Sequence, residues 1–362
     1  MKVRIYIVVA AALSMAACGT PGAPRPPSLR LPETVRDLAA SRQGNTVTLT
    51  WTESQRTTDG ENIRALGPTL VCMGVNDFPM THCAQVAADL SQSQYAQCAP
   101  KVGQPASCQV TLALELQGKY PLGQATYALE VLNTNGRSAG LSNQVRVAMA
   151  PAQPTASHLS IEVQPDAIVI EFDGLGVNSQ YHVFRSEAGT GKPVDIGTAS
   201  ATAMINPGQR FGDNVAFRAE DRSFEWEKIY LYRVVGVTTV QLPDGTSAEV
   251  PGVPTDDVKV FAHDTFPPAA PVGVQAVASG VGQQPFIDLT WAPNTESDLA
   301  GYNVYRHEEG QPAVKINAEL AKAPSYRDAN VQRGKKYFYS VSAVDLRANE
   351  SAKSSATSET VQ

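Results

Sequence analysis

The 362-residue sequence contains little of what catalytic and metal sites are usually made of. Its five histidines are scattered, and no HExxH motif is present. Charged residues make up 18% of the chain, the formal net charge is −6, and no cluster of lysine and arginine occurs. Nucleic acid is therefore a disfavoured partner. The composition predicts a non-enzymatic protein without a cofactor or a metal.

A long hydrophobic run is also absent, except at the N-terminus. Lys2 and Arg4 precede a mostly apolar stretch at residues 5–17, which is too short to span a bilayer but typical of a signal peptide. The stretch ends in "MAAC" at Cys18. This pattern resembles the lipobox of bacterial lipoproteins. The resemblance implies a signal peptide over residues 1–17 and a lipid-anchored N-terminus at Cys18, with diacylglycerol on its thiol and an acyl chain on the new amine.

The alternative is an ordinary secretory signal with an incidental cysteine. In lipoproteins an aspartate after the cysteine marks retention in the inner membrane, and Gly19 stands there instead. We therefore expect an exported protein of the cell envelope, with the outer membrane favoured and the facing side left open. Residues 18–32 are rich in proline and glycine and predict an extended, semi-rigid tether.

Export gives a context for the other four cysteines, Cys72, Cys83, Cys98 and Cys108. An even set in an oxidising compartment predicts two disulfides. A zinc site is the rival interpretation, but the sequence has no CxxC pair. Pairing Cys72 with Cys83 and Cys98 with Cys108 gives the two shortest closures and is favoured, although four cysteines allow three connectivities.

Two further proline-rich segments divide the rest of the chain into blocks at residues 33–150, 151–263 and 264–362. Each block opens with a strand whose apolar residues alternate with polar ones, which places them on one face. A strand with a repeated phrase follows in the later blocks, "QYHVFR" and "GYNVYR". Each block also has a late strand, in "YALEVLN", "YLYRVVGV" and "YFYSVSAVD". Many short strands at this spacing predict an all-β chain of three tandem antiparallel β-sandwiches.

The ordered set of "LTW", "GYNVYR", "YRDA" and "GKKYFYSVSAVD" resembles fibronectin type III domains. The third block matches nearly throughout, the second has Phe172 in place of the tryptophan, and the first matches only at its two ends. In this fold the tyrosine that opens the sixth strand forms a corner, its hydroxyl bonding upstream backbone. The resemblance assigns that role to Tyr337, Tyr230 and Tyr127.

The first block departs most from the family. Trp51 and Tyr127 are 76 residues apart, whereas the corresponding Trp291 and Tyr337 are 46 residues apart. We predict that the excess is a cysteine-rich insertion that holds all four cysteines. It is either a recognition element or a brace over a gap in the sandwich.

The resemblance implies a non-enzymatic role in binding, spacing or envelope structure, with an unknown protein or polysaccharide as the ligand. A carbohydrate-binding accessory lipoprotein is the first alternative and calls for a row of exposed aromatic side chains. An enzyme hidden in the first block is the second, and it would draw on Asp77, His82 and Asp89.

Two smaller signals lie outside these patterns. Trp226 either covers the core of its sandwich or contacts a ligand. Glu296 and Asp298 suggest calcium, but two carboxylates fall short of the six to eight oxygens that the ion takes, which favours a capped turn.

Overall fold

A computed structural model describes residues 29–176, 179–202 and 214–362. Strands account for 46% of the chain and helices for 4%, and the strands form several antiparallel sheets. The predicted all-β class is therefore confirmed. The predicted signal peptide and Cys18 lie outside the described residues. No helix in the described ranges is long and apolar enough to cross a membrane.

The first sandwich contains seven strands, a 3-10 helix at Ser93–Cys98 and helix α1 at Leu114–Lys119. One sheet has the order β1-β2-β5 and the other β4-β3-β6-β7. The strands are β1 (Ala39–Gln43), β2 (Thr46–Thr52), β3 (Thr69–Val75), β4 (Val86–Asp89), β5 (Pro105–Thr111), β6 (Gln124–Val131) and β7 (Val145–Ala148).

The second sandwich pairs a sheet of order β12-β13-β9-β8 with one of order β11-β10-β14-β15, in which β16 also pairs with β14. Its strands are β8 (Ser157–Val163), β9 (Ile168–Leu175), β10 (Gln180–Glu187), β11 (Val194–Thr198), β12 (Ser200–Ala201), β13 (Asn214–Asp221), β14 (Lys228–Gln241), β15 (Ser247–Pro251) and β16 (Val258–Ala262).

The third sandwich has sheets of order β17-β18-β21 and β20-β19-β22-β23. Its strands are β17 (Gln275–Ala278), β18 (Ile287–Thr290), β19 (Leu299–His307), β20 (Val314–Lys315), β21 (Ser325–Asp328), β22 (Lys336–Asp345) and β23 (Thr357–Thr360).

The repeated phrases lie on β10 and β19, at the centre of their sheets. Tyr181 and Tyr302 are fully buried, because period-two alternation turns them inward. Each phenol oxygen accepts a hydrogen bond from the preceding loop, Tyr181 from the Leu175 amide at 2.8 Å and Tyr302 from the Asn294 amide at 2.9 Å. These tyrosines therefore build the core.

Contacts divide the chain into two compact units. The first unit joins the described residues up to Pro151 with Thr239–Val250, and the second joins Ala152–Thr238 with Pro251–Gln362. Strand β14 has 14 residues, whereas the corresponding strand β22 of the third sandwich has 10. Val240, Leu242 and Val250, in the part of the β14–β15 hairpin that belongs to the first unit, are buried. The sequence pattern had not separated this part of the hairpin from the second block.

A buried aspartate links the two sheets of the second sandwich. Asp221, at the end of β13, accepts a hydrogen bond from the Arg185 guanidinium on β10 at 2.7 Å. The same carboxylate oxygen accepts the Tyr232 hydroxyl of β14 at 2.8 Å. Arg185 also lies 4.9 Å from the ring of Tyr230. We call this arrangement the aspartate clasp.

The third sandwich repeats the clasp. Asp328 at the end of β21 accepts the Arg306 guanidinium of β19 at 2.7 Å and the Tyr339 hydroxyl of β22 at 2.9 Å. In the first sandwich the equivalent positions were identified by counting along the paired strands from Trp51, which corresponds to Trp291 of the third sandwich. All three positions are apolar. The side chains there are the buried Val71, Val110 and Leu129.

The corner tyrosines divide in the same way. Tyr337 accepts the Gln332 amide at 3.1 Å, and Tyr230 accepts the Glu225 amide at 3.0 Å. The Tyr127 hydroxyl is buried and has no hydrogen-bond partner in the described ranges. Burial raises the pKa of Tyr127 to about 12, although the charge of Arg42 opposes this. The corner expected at Tyr127 is absent.

We expect Tyr337→Phe to lower the free energy of unfolding of the third sandwich by about 1 kcal/mol, because it leaves the Gln332 amide without its acceptor. Tyr127→Phe is the matched control and should be neutral or stabilising, because it removes an unpartnered buried hydroxyl. Urea unfolding followed by tryptophan fluorescence, in variants that keep only Trp291 or only Trp51, measures each sandwich. Equal losses in the two variants would contradict this assignment.

The clasp also predicts a pH dependence for the second sandwich. Burial raises the pKa of Asp221, but hydrogen bonds from Tyr232 and Ser223 and the charge of Arg185 outweigh it, so that the pKa falls below its ordinary value. A folded-state pKa below the unfolded value of about 3.9 means that the ionised carboxylate stabilises the fold above that pH. The contribution is lost as the pH falls through the folded-state pKa.

We expect the stability of the second sandwich to fall between pH 5 and about pH 2, and the fall to be smaller in Asp221→Asn, which is also less stable at pH 7. Unfolding followed through Trp226 alone measures both effects. The same comparison followed through Trp51 is the control, because Asp221→Asn lies outside the first sandwich and should leave its pH slope unchanged. Identical pH slopes for Asp221→Asn and the unchanged chain would rule the clasp out as their source.

Candidate binding surfaces

Two disulfides tie the loops of the first sandwich to its strands. They join Cys72 with Cys83 and Cys98 with Cys108, at sequence separations of 11 and 10. These are the two shortest closures. The first bond holds the loop after β3 and the second holds the 3-10 helix against β5.

The prediction that all four cysteines lie in an insertion is wrong. Cys72 is fully buried on β3, and Cys108 is buried on β5, so two of the four belong to strands of the sandwich. The count between Trp51 and Tyr127 located the excess length but not its distribution. That length is spread over the loops on either side of β3, β4 and β5 and over α1.

The outward face of the β1-β2-β5 sheet carries no charged side chain. Val47, Leu49 and Trp51 of β2 point inward, so the four threonines of the same strand point outward. We call this outward surface the threonine face; its members are Ala39, Ser41 and Gln43 of β1, Thr46, Thr48, Thr50 and Thr52 of β2, and Pro105, Ser107, Gln109 and Thr111 of β5.

The corresponding faces of the other sandwiches are charged. Thr48 pairs with Gln109 three residues before Trp51, and the equivalent pair three residues before Trp291 is Asp288 with Arg327. Asp288 and Arg327 form an ion pair at 2.7 Å. In the second sandwich Arg218 lies between Glu171 and Glu220, at 3.2 and 3.1 Å. The neutral surface is therefore a property of the first sandwich rather than of the repeated fold.

An open cavity of about 430 Å³ adjoins one end of the threonine face. It is lined by Asp37, Trp51 and Ala106 together with members of the face. Hydrogen bonds from the Thr52 hydroxyl and amide lower the pKa of Asp37. Ionised Asp37 thus places one negative charge beside an otherwise neutral surface.

Trp226 packs on the second sandwich. Its ring lies 4.7 Å from Phe224 in an edge-on contact and 6.0 Å from Phe266 of the following linker. The side chain is half-buried against the apolar core of the second sandwich. Trp226 therefore covers the core of the second sandwich. A contact between Trp226 and a ligand stays a prediction.

Three aspartates meet where the linker enters the third sandwich. Asp264, Asp298 and Asp345 each bring an oxygen within 4.8 Å of the others. Oxygen ligands suit calcium, but Asp345 already accepts the amides of Arg347 and Asn349 and the side-chain amide of Asn349. Asn349 in turn donates to the Asp264 carbonyl at 3.1 Å. The cluster holds the linker in place.

Glu296 does not join this cluster. Its carboxylate accepts the Ala269 amide at 2.7 Å, which fastens a second point of the linker. On the other side, Glu227 accepts from His263 at 3.0 Å and lies 3.7 Å from Arg347. The linker between the second and third sandwiches is therefore held by side-chain hydrogen bonds.

The residues proposed for a hidden enzyme do not come together. Asp77, His82 and Asp89 form no cluster in the described part of the chain. His82 contacts the Thr81 hydroxyl at 3.1 Å, and Asp89 accepts the Ser91 hydroxyl at 2.7 Å. Both are local contacts within one or two residues.

Exposed aromatic side chains form no row among the described residues. Phe78 and Phe261 are 54% and 50% exposed and belong to different compact units. Phe78 lies 4.6 Å from the Arg146 guanidinium, and Phe261 stacks on His263 at 5.2 Å. The stacking platform called for by the carbohydrate alternative is not seen there.

Comparisons with known proteins return partial matches to enzymes, and no protein-family model matches the chain. An amylopullulanase of Thermoanaerobacterium thermosulfurigenes is 42% identical over 91 residues, which are 25% of this chain and 4% of the enzyme. An amylopullulanase of Thermoanaerobacter thermohydrosulfuricus is 30% identical over 151 residues, 39% of this chain and 10% of the enzyme. An exo-β-1,2-glucooligosaccharide sophorohydrolase of Parabacteroides distasonis is 27% identical over 105 residues, 29% of this chain and 14% of the enzyme.

Similar solved structures are fibronectin type III proteins. The FN1–FN3 domains of chicken CNTN1 cover 91% of this chain and 99% of their own, at 17% identity and a TM-score of 0.27. A Fn3-like protein from Clostridium thermocellum covers 27% of this chain and 94% of its own, at 33% identity and a TM-score of 0.23. The chain itself is an all-β protein of several antiparallel sheets.

Proposed function

We propose that this chain is a non-catalytic binding protein of the cell envelope, anchored by lipid at Cys18 and built from tandem fibronectin type III-like sandwiches. The observation that carries the non-catalytic part is how the buried carboxylates are used. Asp221 and Asp328 are engaged in clasps, and Asp345 is engaged by turn amides. Groups committed to the fold in this way are not poised for proton transfer to a substrate.

Glucan handling is the second candidate, as an accessory role beside an enzyme. The partial matches to enzymes whose names refer to pullulan and to β-1,2-glucooligosaccharides favour it. The matched share of those enzymes is between 4% and 14%, so the similarity concerns a small part of each. The role that we propose for this chain is to hold glucan rather than to cleave it.

The lipid anchor predicts a mature N-terminus at Cys18, for which the "MAAC" boundary is the motivation. We expect radiolabelled palmitate to label the protein in cells and Cys18→Ala to abolish the labelling, because the variant lacks the thiol that takes the lipid. Intact-mass analysis of membrane fractions should show a chain that begins at residue 18. A membrane-bound or soluble form that keeps residues 1–17 and carries no lipid would reject the anchor.

The glucan candidate predicts slower migration of the purified full chain in native gels that contain pullulan or soluble starch. Because no exposed aromatic row is available for stacking in the described residues, we expect weak binding, with retardation only at high polysaccharide content. No glucose should be released from either polysaccharide. Unchanged migration in both gels would reject the glucan role and leave the envelope proposal to be tested with other ligands.

A further inference from the structure

We propose that the threonine face of the first sandwich is the surface that binds a neutral polysaccharide. This inference rests on the glucan candidate above and specifies where the contact is made. The first observation that supports it is the absence of charge on this face. Every side chain of the face is uncharged, although the equivalent positions of the other two sandwiches hold Asp288 with Arg327 and Glu171 with Arg218.

A neutral face is inexpensive to desolvate, because stripping water from a hydroxyl or an amide costs far less than stripping it from a charge. The hydroxyls of Thr46, Thr48 and Thr50 have no hydrogen-bond partner in the described part of the chain. They are available to an incoming ligand that offers hydroxyls of its own.

The geometry favours a polymer over a small molecule. Outward residues of one strand recur about every 6.8 Å, and neighbouring strands lie about 4.8 Å apart, so donors and acceptors form a grid. β-branched threonine has few rotamers, so little side-chain entropy is lost on binding. Each hydrogen bond is weak, and a chain of repeating sugar units gains affinity by making many of them at once.

The cavity at the end of the face selects the charge of the ligand. Asp37 lines it beside Thr52, and a carboxylate accepts hydrogen bonds from sugar hydroxyls but repels acidic sugars. We therefore expect pullulan or soluble starch to bind and alginate, a polyuronate, to be excluded.

The test transplants the charged pair of the third sandwich onto the face. Thr48→Asp with Gln109→Arg reproduces Asp288 and Arg327 at the same pairing position, which the fold accommodates elsewhere in this chain. The matched control is the reverse exchange, Asp288→Thr with Arg327→Gln. Thr48→Ala with Thr50→Ala removes hydroxyls without adding charge and serves as the second variant.

Native gels with pullulan, soluble starch or alginate are run with the full chain and the three variants. We expect the T48D/Q109R chain to bind the neutral glucans at least about fivefold more weakly, T48A/T50A to lose about threefold, and D288T/R327Q to match the unchanged chain. Urea midpoints followed through Trp51 establish that each variant is folded.

The outcomes separate the inference from the function on which it rests. If the unchanged chain binds glucan and both variants of the face bind equally well, the glucan role stands and the location is wrong. If the unchanged chain binds no neutral glucan, both are rejected. Stronger retardation by alginate, or a dimer in sedimentation that T48D/Q109R dissociates, would also overturn the inference.

Discussion

One buried carboxylate per sandwich joins the two sheets of the second and third domains. Asp221 and Asp328 lie at the ends of strands in one sheet, and their arginine and tyrosine partners lie on two strands of the other. Removing one partner of such a pair leaves a buried charge and costs about 3–5 kcal/mol. The clasp therefore constrains both the packing of the sheets and the position of the corner tyrosine next to it.

The first sandwich has no ion pair at the clasp positions, and its buried Arg42 on β1 donates instead to the Ala148 carbonyl of β7 and to Gln117. Val71, Val110 and Leu129 fill the three clasp positions, and an apolar replacement of a buried ion pair is often neutral or stabilising. Its longer loops are instead restrained by two disulfides. By the loop-entropy model, each closure of this length adds roughly 2–3 kcal/mol by restricting the unfolded chain. Covalent restraint thus accompanies the loss of the clasp in this one domain.

Sequence reasoning could predict the sandwiches because their signals are local. Alternating apolar residues, an early tryptophan and a late tyrosine lie within single strands, and these identified the all-β class and the core. The clasp is not local, since Arg306 and Asp328 are on strands that do not pair with each other. The missing corner at Tyr127 was equally hidden, because the amide that a corner needs is positioned by the preceding turn.

The threonine face also could not be predicted from the sequence, because it depends on which strands pair. The threonines of "TVTLTWT" are visible in the sequence, but a face exists only when β1 and β5 are placed on either side of β2. The partners of β2 on β5 lie about 60 positions later along the chain, in the segment that is predicted to be an insertion. Knowing the register was necessary to see that no charge interrupts the surface.

Rigidity and neutrality converge on the first sandwich. The disulfide at Cys108 holds β5, which supplies one border of the threonine face, so the border residues lose little freedom when a ligand binds. In the other two sandwiches, charged residues on the equivalent faces form cross-strand ion pairs. Each such exposed pair stabilises the fold by at most about 1 kcal/mol. Omitting those pairs therefore costs the first sandwich little stability. It leaves an array of hydroxyls on the three strands that no charged side chain of those strands interrupts.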